Sequence, residues 1–528
     1  MAIGKAYCPD MTNTRYAANG MVCTVDHLAS SAGITTLDRG GSAADAAVAA
    51  NAVLAVTAPH MCGLGGDLFA LVHDGTGVSA LNASGRAGSG ADPRRLHTEG
   101  HDRMPHLYDI RSVPVPGCVD GWLTLHERFG RLPLDVVLAP AIRLAADGFP
   151  ASPLLVPGAP FIGSLPGAGD FAEVQAVGDP VRRPGVARAL DAIATSGRAG
   201  FYQGEFGRGL LALGAGEYTE ADLARLNADW VTPLHVTAFG HGVWTIPPNS
   251  QGYLLLLALG VLEGFELPGD PADPRWAHLL VEAARAAGHD RLEVLHEGGL
   301  APLGSAAERR ALVDPDRRTA GLGGATARGD TTYLCVVDGD GMGVSLIQSN
   351  AAGFGSLLFE PDTGINLHNR GIGFSLTPGH PAEYGPGRRP PHTLSPALIT
   401  RPDGSLRTVI GTMGGDAQPQ ILLQLVTRLL AHGQTPGEVI DAPRWALGVD
   451  RSTGFDTWRG GEVVVEVEDG AAWAPGLAER GHVVRDEPYG DNFGHAHLID
   501  VLPSGMLAGA ADPRARIGAA LGRIATER

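Results

Sequence analysis

The 528-residue sequence contains no stretch of eighteen uninterrupted apolar residues, so it offers no helix to span a bilayer. Its opening, MAIGKAYCPDMTNTRYAANGMV, lacks the apolar run of a secretory leader, and the sequence therefore predicts a cytoplasmic protein. Cysteine is scarce. Cys8, Cys23, Cys62, Cys118 and Cys335 are odd in number and lack metal-ligand spacing, which argues against a disulfide framework and fits reduced thiols. Basic runs of five or more are absent, and the formal net charge is -17, which excludes a surface built to neutralise nucleic-acid phosphates. There is no internal repeat and no low-complexity tract, so solenoids and linkers are excluded as well.

Glycine (75) and proline (38) are plentiful but spread among apolar segments, giving a turn-rich chain able to bury a sizeable core. Amphipathic or apolar helices are expected at 27–39, 42–56, 118–129, 134–147, 186–195, 219–226, 253–263, 276–287 and 421–430, several opened by capping residues such as Ser42 with Asp45 and Thr219 with Asp222. Period-2 patterns predict strands at 68–73 and 78–82, one long strand at 236–246, and others at 406–410 and 463–467. This mixture of helices and hairpins indicates an α/β (α+β) sandwich.

The stretch GDTTYLCVVDGDGMGVSLIQSN, 329–350, stands out. Two β-patterns flank Asp338-Gly339-Asp340-Gly341 and read as a hairpin. Before it lies GLGGATARGD, 321–330, an expected exposed loop. A threonine hydroxyl is a poor nucleophile unless a base takes its proton. If the Asp330-Thr331 peptide were cut, the freed α-amine of Thr331 would serve, since its reference pKa is about 7.7 to 8. The turn at Asp338 resembles the start of a calcium loop, but position twelve is Ser349 rather than glutamate, so a hairpin turn is the better reading. Gly414-Gly415, between a strand and a helix, could aim backbone N–H groups at a developing oxyanion, and lacks the Lys-Ser/Thr pair of a phosphate loop. His495 and His497 could share one face of a strand but have no third metal ligand. No metal and no cofactor is expected.

The hairpin resembles that of the γ-glutamyltranspeptidase family of N-terminal-nucleophile hydrolases, in which a precursor cleaves itself before a Thr-Thr pair. PHMCGLGGD, GFGS, PGRRPPHTLSP, GTMGGDAQP, DAPRW and ADPRARIGAALG follow in family order over nearly the whole chain. The resemblance implies a four-layer αββα fold formed jointly by two chains, 1–330 and 331–528, interlocked in one globular domain. It also implies a processing site at Asp330 and Thr331, Thr331 as nucleophile, Ser349 as its orienting hydroxyl where threonine is usual, Thr332 in support, and Gly414 with Gly415 as oxyanion donors.

The same resemblance weakens at substrate recognition. The acidic residue that holds a γ-glutamyl ammonium aligns with Gly373, and the serine pair for the α-carboxylate aligns with His392 and Thr393. The expected arginine falls on Pro93, leaving Arg86 or Arg94 as substitutes. Arg370 and His392 would supply positive charge. The expected partners are thus a small acidic amide, water or an amine acceptor, and the two fragments of one precursor, with a homo-oligomer compatible. The expected activity is a γ-glutamyltransferase-like amidohydrolase or acyltransferase. The alternatives are a specialised hydrolase of a dicarboxylic monoamide such as oxamate or of a glutaryl amide, and an unprocessed binding scaffold.

Overall fold

The structure, a computed structural model, describes residues 13–322, 330–448, 463–490 and 493–524. Cys8 and 323–329 of the expected loop lie outside these residues. Two seven-stranded sheets dominate. The first runs, edge to edge, Ala519–Gly522, Gly20–Thr24, Asp330–Asp338, Gly343–Ala351, Asp67–His73, Val78–Ala83, Asp229–Val231. The second runs Arg15–Ala17, Leu507–Ala511, Ala496–Val501, Leu406–Thr412, Ala397–Thr400, His241–Thr245, Leu234–Ala238. Every pairing in both is antiparallel.

The layering follows from period-2 alternation. Along Asp330–Asp338, Leu334 and Val336 face a core shared with helices, whereas Tyr333, Cys335 and Val337 face a second core between the two sheets. Helix Ala43–Thr57 covers the outer face of the first sheet. It is buried at every residue, as an all-round apolar helix must be, and the Ser42/Asp45 capping box satisfies its first turn. Tyr253–Leu262, Pro274–Gly288 and Gln418–Ala431 pack on the outer face of the second sheet. The result is the four-layer αββα sandwich. Cys335 is a packing residue within it, and Cys23, Cys62, Cys118 and Cys335 are all unpaired and buried. No helix among the described residues is long and apolar enough to cross a membrane.

Most expected elements form with ends shifted by a few residues. One is corrected: 236–246 is not a single strand but a hairpin, Leu234–Ala238 and His241–Thr245, because Phe239 and Gly240 take φ of 48° and 77° and reverse the chain. At the central hairpin turn Asp338 accepts from the backbone N–H groups of Ala43, Asp340 and Met342, so its carboxylate closes a turn. The DAPRW and ADPRARIGAALG motifs meet in a buried ion network, Arg444 on Asp512 (2.7 Å) and Arg514 on Asp512 (3.1 Å) and Glu468 (2.5 Å), which ties two distant segments together beside the second sheet. Their part is structural.

Candidate active site

Register builds the site. In the first sheet Thr331 lies opposite Ser349, and Ser349 lies opposite Asp67, so three polar side chains form one row on the face that also carries Tyr333, Ile347 and Phe69. That row ends the inter-sheet layer. Thr331 Oγ1 donates to Ser349 Oγ at 3.1 Å, and Ser349 Oγ accepts the Ala351 N–H at 2.8 Å. The pairing register shifts between Asp330 and Thr331, a bulge at the expected scissile bond, and Ala351 opposite it has φ 74°. Asp330 and Thr331 are consecutive in one strand, and Thr331 is only 1% exposed. Thr332 points to the other face, where its hydroxyl donates to the Gln348 carbonyl at 3.4 Å, a strand residue pairing with its neighbour.

Across the layer, strand Leu406–Thr412 runs past Tyr333. A Cβ on Gly411 would lie 2.1 Å from the Tyr333 ring, so the absent side chain lets the sheets approach. The strand leads into Gly414 and Gly415, with φ of 132° and 56°, which side-chain-bearing residues rarely adopt. Helix Gln418–Ala431 starts immediately after. The GLGGD glycines are packing glycines as well: a Cβ on Gly66 would lie 2.4 Å from the Ser349 carbonyl, and one on Gly65 2.2 Å from that of Asn366.

Asp67 is the hub. Its Oδ2 accepts from Arg370 Nε (2.9 Å), His392 Nε2 (2.9 Å) and His368 Nδ1 (3.2 Å). Burial alone would push the Asp67 carboxyl up, but the Arg370 guanidinium and the two imidazole hydrogen bonds outweigh it and hold the group well below the usual carboxylate range. Arg370 Nη1 donates to Thr393 Oγ1 at 3.0 Å, while Arg370 Nη2 is buried without a hydrogen-bond partner. Arg370, Gly373 and Thr393 line a cleft of about 1130 Å³, whose wall includes the segment from Gly100 to Asp109.

His392 does not supply the positive charge expected of it. Its Nδ1 accepts the Leu394 N–H at 3.2 Å and its Nε2 donates to Asp67, so both ring nitrogens are occupied by the neutral form. Burial and the adjacent Arg370 push its pKa down to about 4. Arg86 does not join the Arg370 group: it pairs with Asp229 and Glu297, at 3.2 and 2.5 Å. Arg94 is exposed beside Asp92.

His495 and His497 are both buried, and His497 Nδ1 accepts the Asp512 N–H at 3.2 Å. His278, Glu282 and His482 present buried ligand atoms within 4.8 Å of one another. Those atoms are committed to a His278–His482 hydrogen bond of 2.8 Å and a Glu282–Arg285 pair. Burial, with His278, Arg285, Arg318 and Arg480 around it, pushes His482 down to about 3, and a divalent cation would meet the same positive field.

Buried neutral histidines make the fold acid-sensitive. His392 titrates near 4 and His497 near 3 when folded, against about 6.5 unfolded, so the unfolded chain binds more protons once the pH drops below about 6.5. Each residue then removes up to about 1.4 kcal/mol of stability per pH unit, continuing to about pH 4 for His392. The thermal midpoint is expected to fall from pH 6.5 to 4 in stepped-pH calorimetry. A flat profile there contradicts this assignment.

The family model described as Gamma-glutamyltranspeptidase matches residues 29–522. The chain belongs to the gamma-glutamyltranspeptidase family. It is 36% identical over 532 residues to a glutathione hydrolase-like YwrD proenzyme of Bacillus subtilis (strain 168), covering 95% of this chain and 98% of that one. It is 34% identical over 545 residues to an oxamate amidohydrolase proenzyme of Klebsiella pneumoniae subsp. pneumoniae, covering 97% and 100%. Among solved structures, a cephalosporin acylase from Bacillus halodurans superposes with a TM-score of 0.88 at 33% identity, covering 100% of both chains. Gly373, the position where the sequence comparison expected an acidic residue, is tightly packed. A Cβ there would lie 2.8 Å from the Pro391 carbonyl oxygen, so the backbone occupies space that an acidic side chain would need.

Sequence reasoning missed four members of the group. Asp67 and Asp416 each directly follow a Gly-Gly pair in the quoted motifs, and that position was the available signal. His368 stands two residues before Arg370 in LHNRGIGF. Arg291, which also lines the cleft, lies in a polar stretch with no pattern to mark it.

Proposed function

We propose that this chain is a self-cleaving precursor that becomes an N-terminal-threonine amidohydrolase or acyltransferase for amides whose acyl half carries an acid. Thr331 Oγ1, held at 3.1 Å by Ser349 across the strand pair, is the observation that carries the reading. The hydroxyl attacks the Asp330 carbonyl, its proton passes to the Thr331 nitrogen, and the peptide bond becomes an ester. Water hydrolyses that ester, leaving a carboxylate on residues 1–330 and a free amine on residues 331–528. The amine then takes the hydroxyl proton as Thr331 attacks the substrate amide, and the proton is delivered to the departing amine. Water or an acceptor amine resolves the acyl-ester. Gly414 and Gly415 supply the oxyanion donors.

Arg370 supports the choice of acyl group. Arg370 lines the cleft, and its planar guanidinium, with one buried N–H₂ edge unpartnered, is suited to a carboxylate. An α-ammonium beside it would meet a cation and find no carboxylate at Gly373. His392 and Thr393 position Arg370, directly or through Asp67. Oxamate-type monoamides and glutaryl amides fit this description. The second reading, γ-glutamyl amides, is favoured by the glutathione hydrolase-like relative. Four buried, unpaired cysteines support a cytoplasmic location.

A donor panel tests this. Glutaryl p-nitroanilide is expected to be cleaved with a kcat/KM at least about tenfold above γ-glutamyl p-nitroanilide, whose ammonium meets Arg370 and no carboxylate at Gly373. Gly373→Asp is expected to gain no γ-glutamyl activity, because Pro391 blocks the side chain. Preference of the wild type for the γ-glutamyl donor would overturn the acyl assignment, and γ-glutamyl activity appearing in Gly373→Asp would overturn the Pro391 block.

A further inference from the structure

The Gly414-Gly415 turn cannot fix its own N–H directions. Glycine peptides rotate without a Cβ penalty, and a donor pair aimed at an oxyanion is useful only if it is held before the charge develops. The structure surrounds this turn with a polar bracket. Gln251 Nε2 donates to the Gly415 carbonyl at 3.1 Å and to the Thr393 carbonyl at 2.9 Å. Gln251 Oε1 in turn accepts from Arg291 Nη2 at 2.9 Å, and the same nitrogen pairs with Asp416, the residue directly after the turn. Arg291, Gln251 and Asp416 are all at most 5% exposed.

The bracket grips the C-terminal side of the turn and reaches the acyl site. It holds the carbonyl of Gly415, the side chain of Asp416 and the backbone of Thr393, whose hydroxyl accepts from Arg370. Its composition also crosses the expected break: Gln251 and Arg291 precede Thr331, whereas Thr393, Gly415 and Asp416 follow it. We infer that Arg291, acting through Asp416 and Gln251, is a positioning residue that locks the oxyanion turn of one fragment from the other. This rests on the proposed role of Gly414 and Gly415. It makes residues 1–330 part of the catalytic geometry of 331–528, beyond their share of the fold.

The test uses purified, processed full-length protein with glutaryl p-nitroanilide as probe, comparing wild type with Arg291→Lys, Asp416→Asn and Gln251→Glu. Arg291→Lys keeps the charge but loses the planar fork. Gln251→Glu removes the donor to Gly415 while keeping an acceptor for Arg291. Each is expected to lower kcat about 30- to 100-fold with KM within about twofold, since donors misaligned by loss of a tether act only on the transition state. The Arg291→Lys/Asp416→Asn double variant should match the worse single, because both disable one bracket. An unchanged kcat, or a raised KM at unchanged kcat, overturns the inference, the latter by making Arg291 a substrate contact. Fragment pattern and thermal midpoint identify any variant that fails to mature, and the remaining two then decide. A processed wild type whose activity survives in Thr331→Ala fails the nucleophile reading itself and removes this inference with it.

Discussion

Thr331→Ala is expected to yield one uncut chain and to lose at least about 10⁴-fold in amide turnover, because the nucleophile and, through the uncut peptide, its base disappear together. The fold should survive, since a buried threonine at a sheet end gives up one hydroxyl, whose partner Ser349 keeps its Ala351 hydrogen bond at 2.8 Å. Thr331→Ser, which keeps the oxygen, is expected to be cut, though more slowly. Gel mobility after timed incubation, with anilide turnover, checks both. An alanine variant that is still cut at this bond would place the attacking group elsewhere.

The second large effect belongs to Arg370. Its Nε is tied to Asp67, so removing the charge altogether would leave a buried carboxylate underpaired and confound specificity with folding. Arg370→Lys retains a cation for Asp67 but cannot also reach Thr393 and a substrate carboxylate with one fork. The expected loss on glutaryl p-nitroanilide is about 100-fold in kcat/KM, mostly through KM, with little change on a neutral butyryl anilide. Equal losses on both donors would show that Arg370 serves the site's architecture and does not grip the acid.

These two residues also show how far the sequence could be read. The Thr331 hairpin is legible because alternation is a local signal, and its register is forced: a one-residue slip would turn Tyr333 and Cys335 out of the inter-sheet core. The row Thr331, Ser349, Asp67 required a third strand, Asp67–His73, whose pairing with Gly343–Ala351 nothing local specifies. His368 and His392 reach the same carboxylate oxygen from 301 and 325 positions away. The misjudged charge on His392 has that origin as well: alone it looks like a cation near physiological pH, and only burial beside Arg370 makes it a neutral donor.

The gamma-glutamyltranspeptidase fold accounts for the layers, and Arg370, with the close packing at Gly373, carries the proposed acyl preference. The proposed activity depends on Thr331 becoming a chain terminus. The most direct measurement is intact mass under denaturing conditions of freshly purified and incubated wild-type protein, with N-terminal sequencing of any smaller species. Two fragments, the smaller opening with a free Thr331 amine, are the expected result. A single full-length chain that persists on incubation, or a fragment beginning at another residue, would contradict the account and leave the cleft as a binding site.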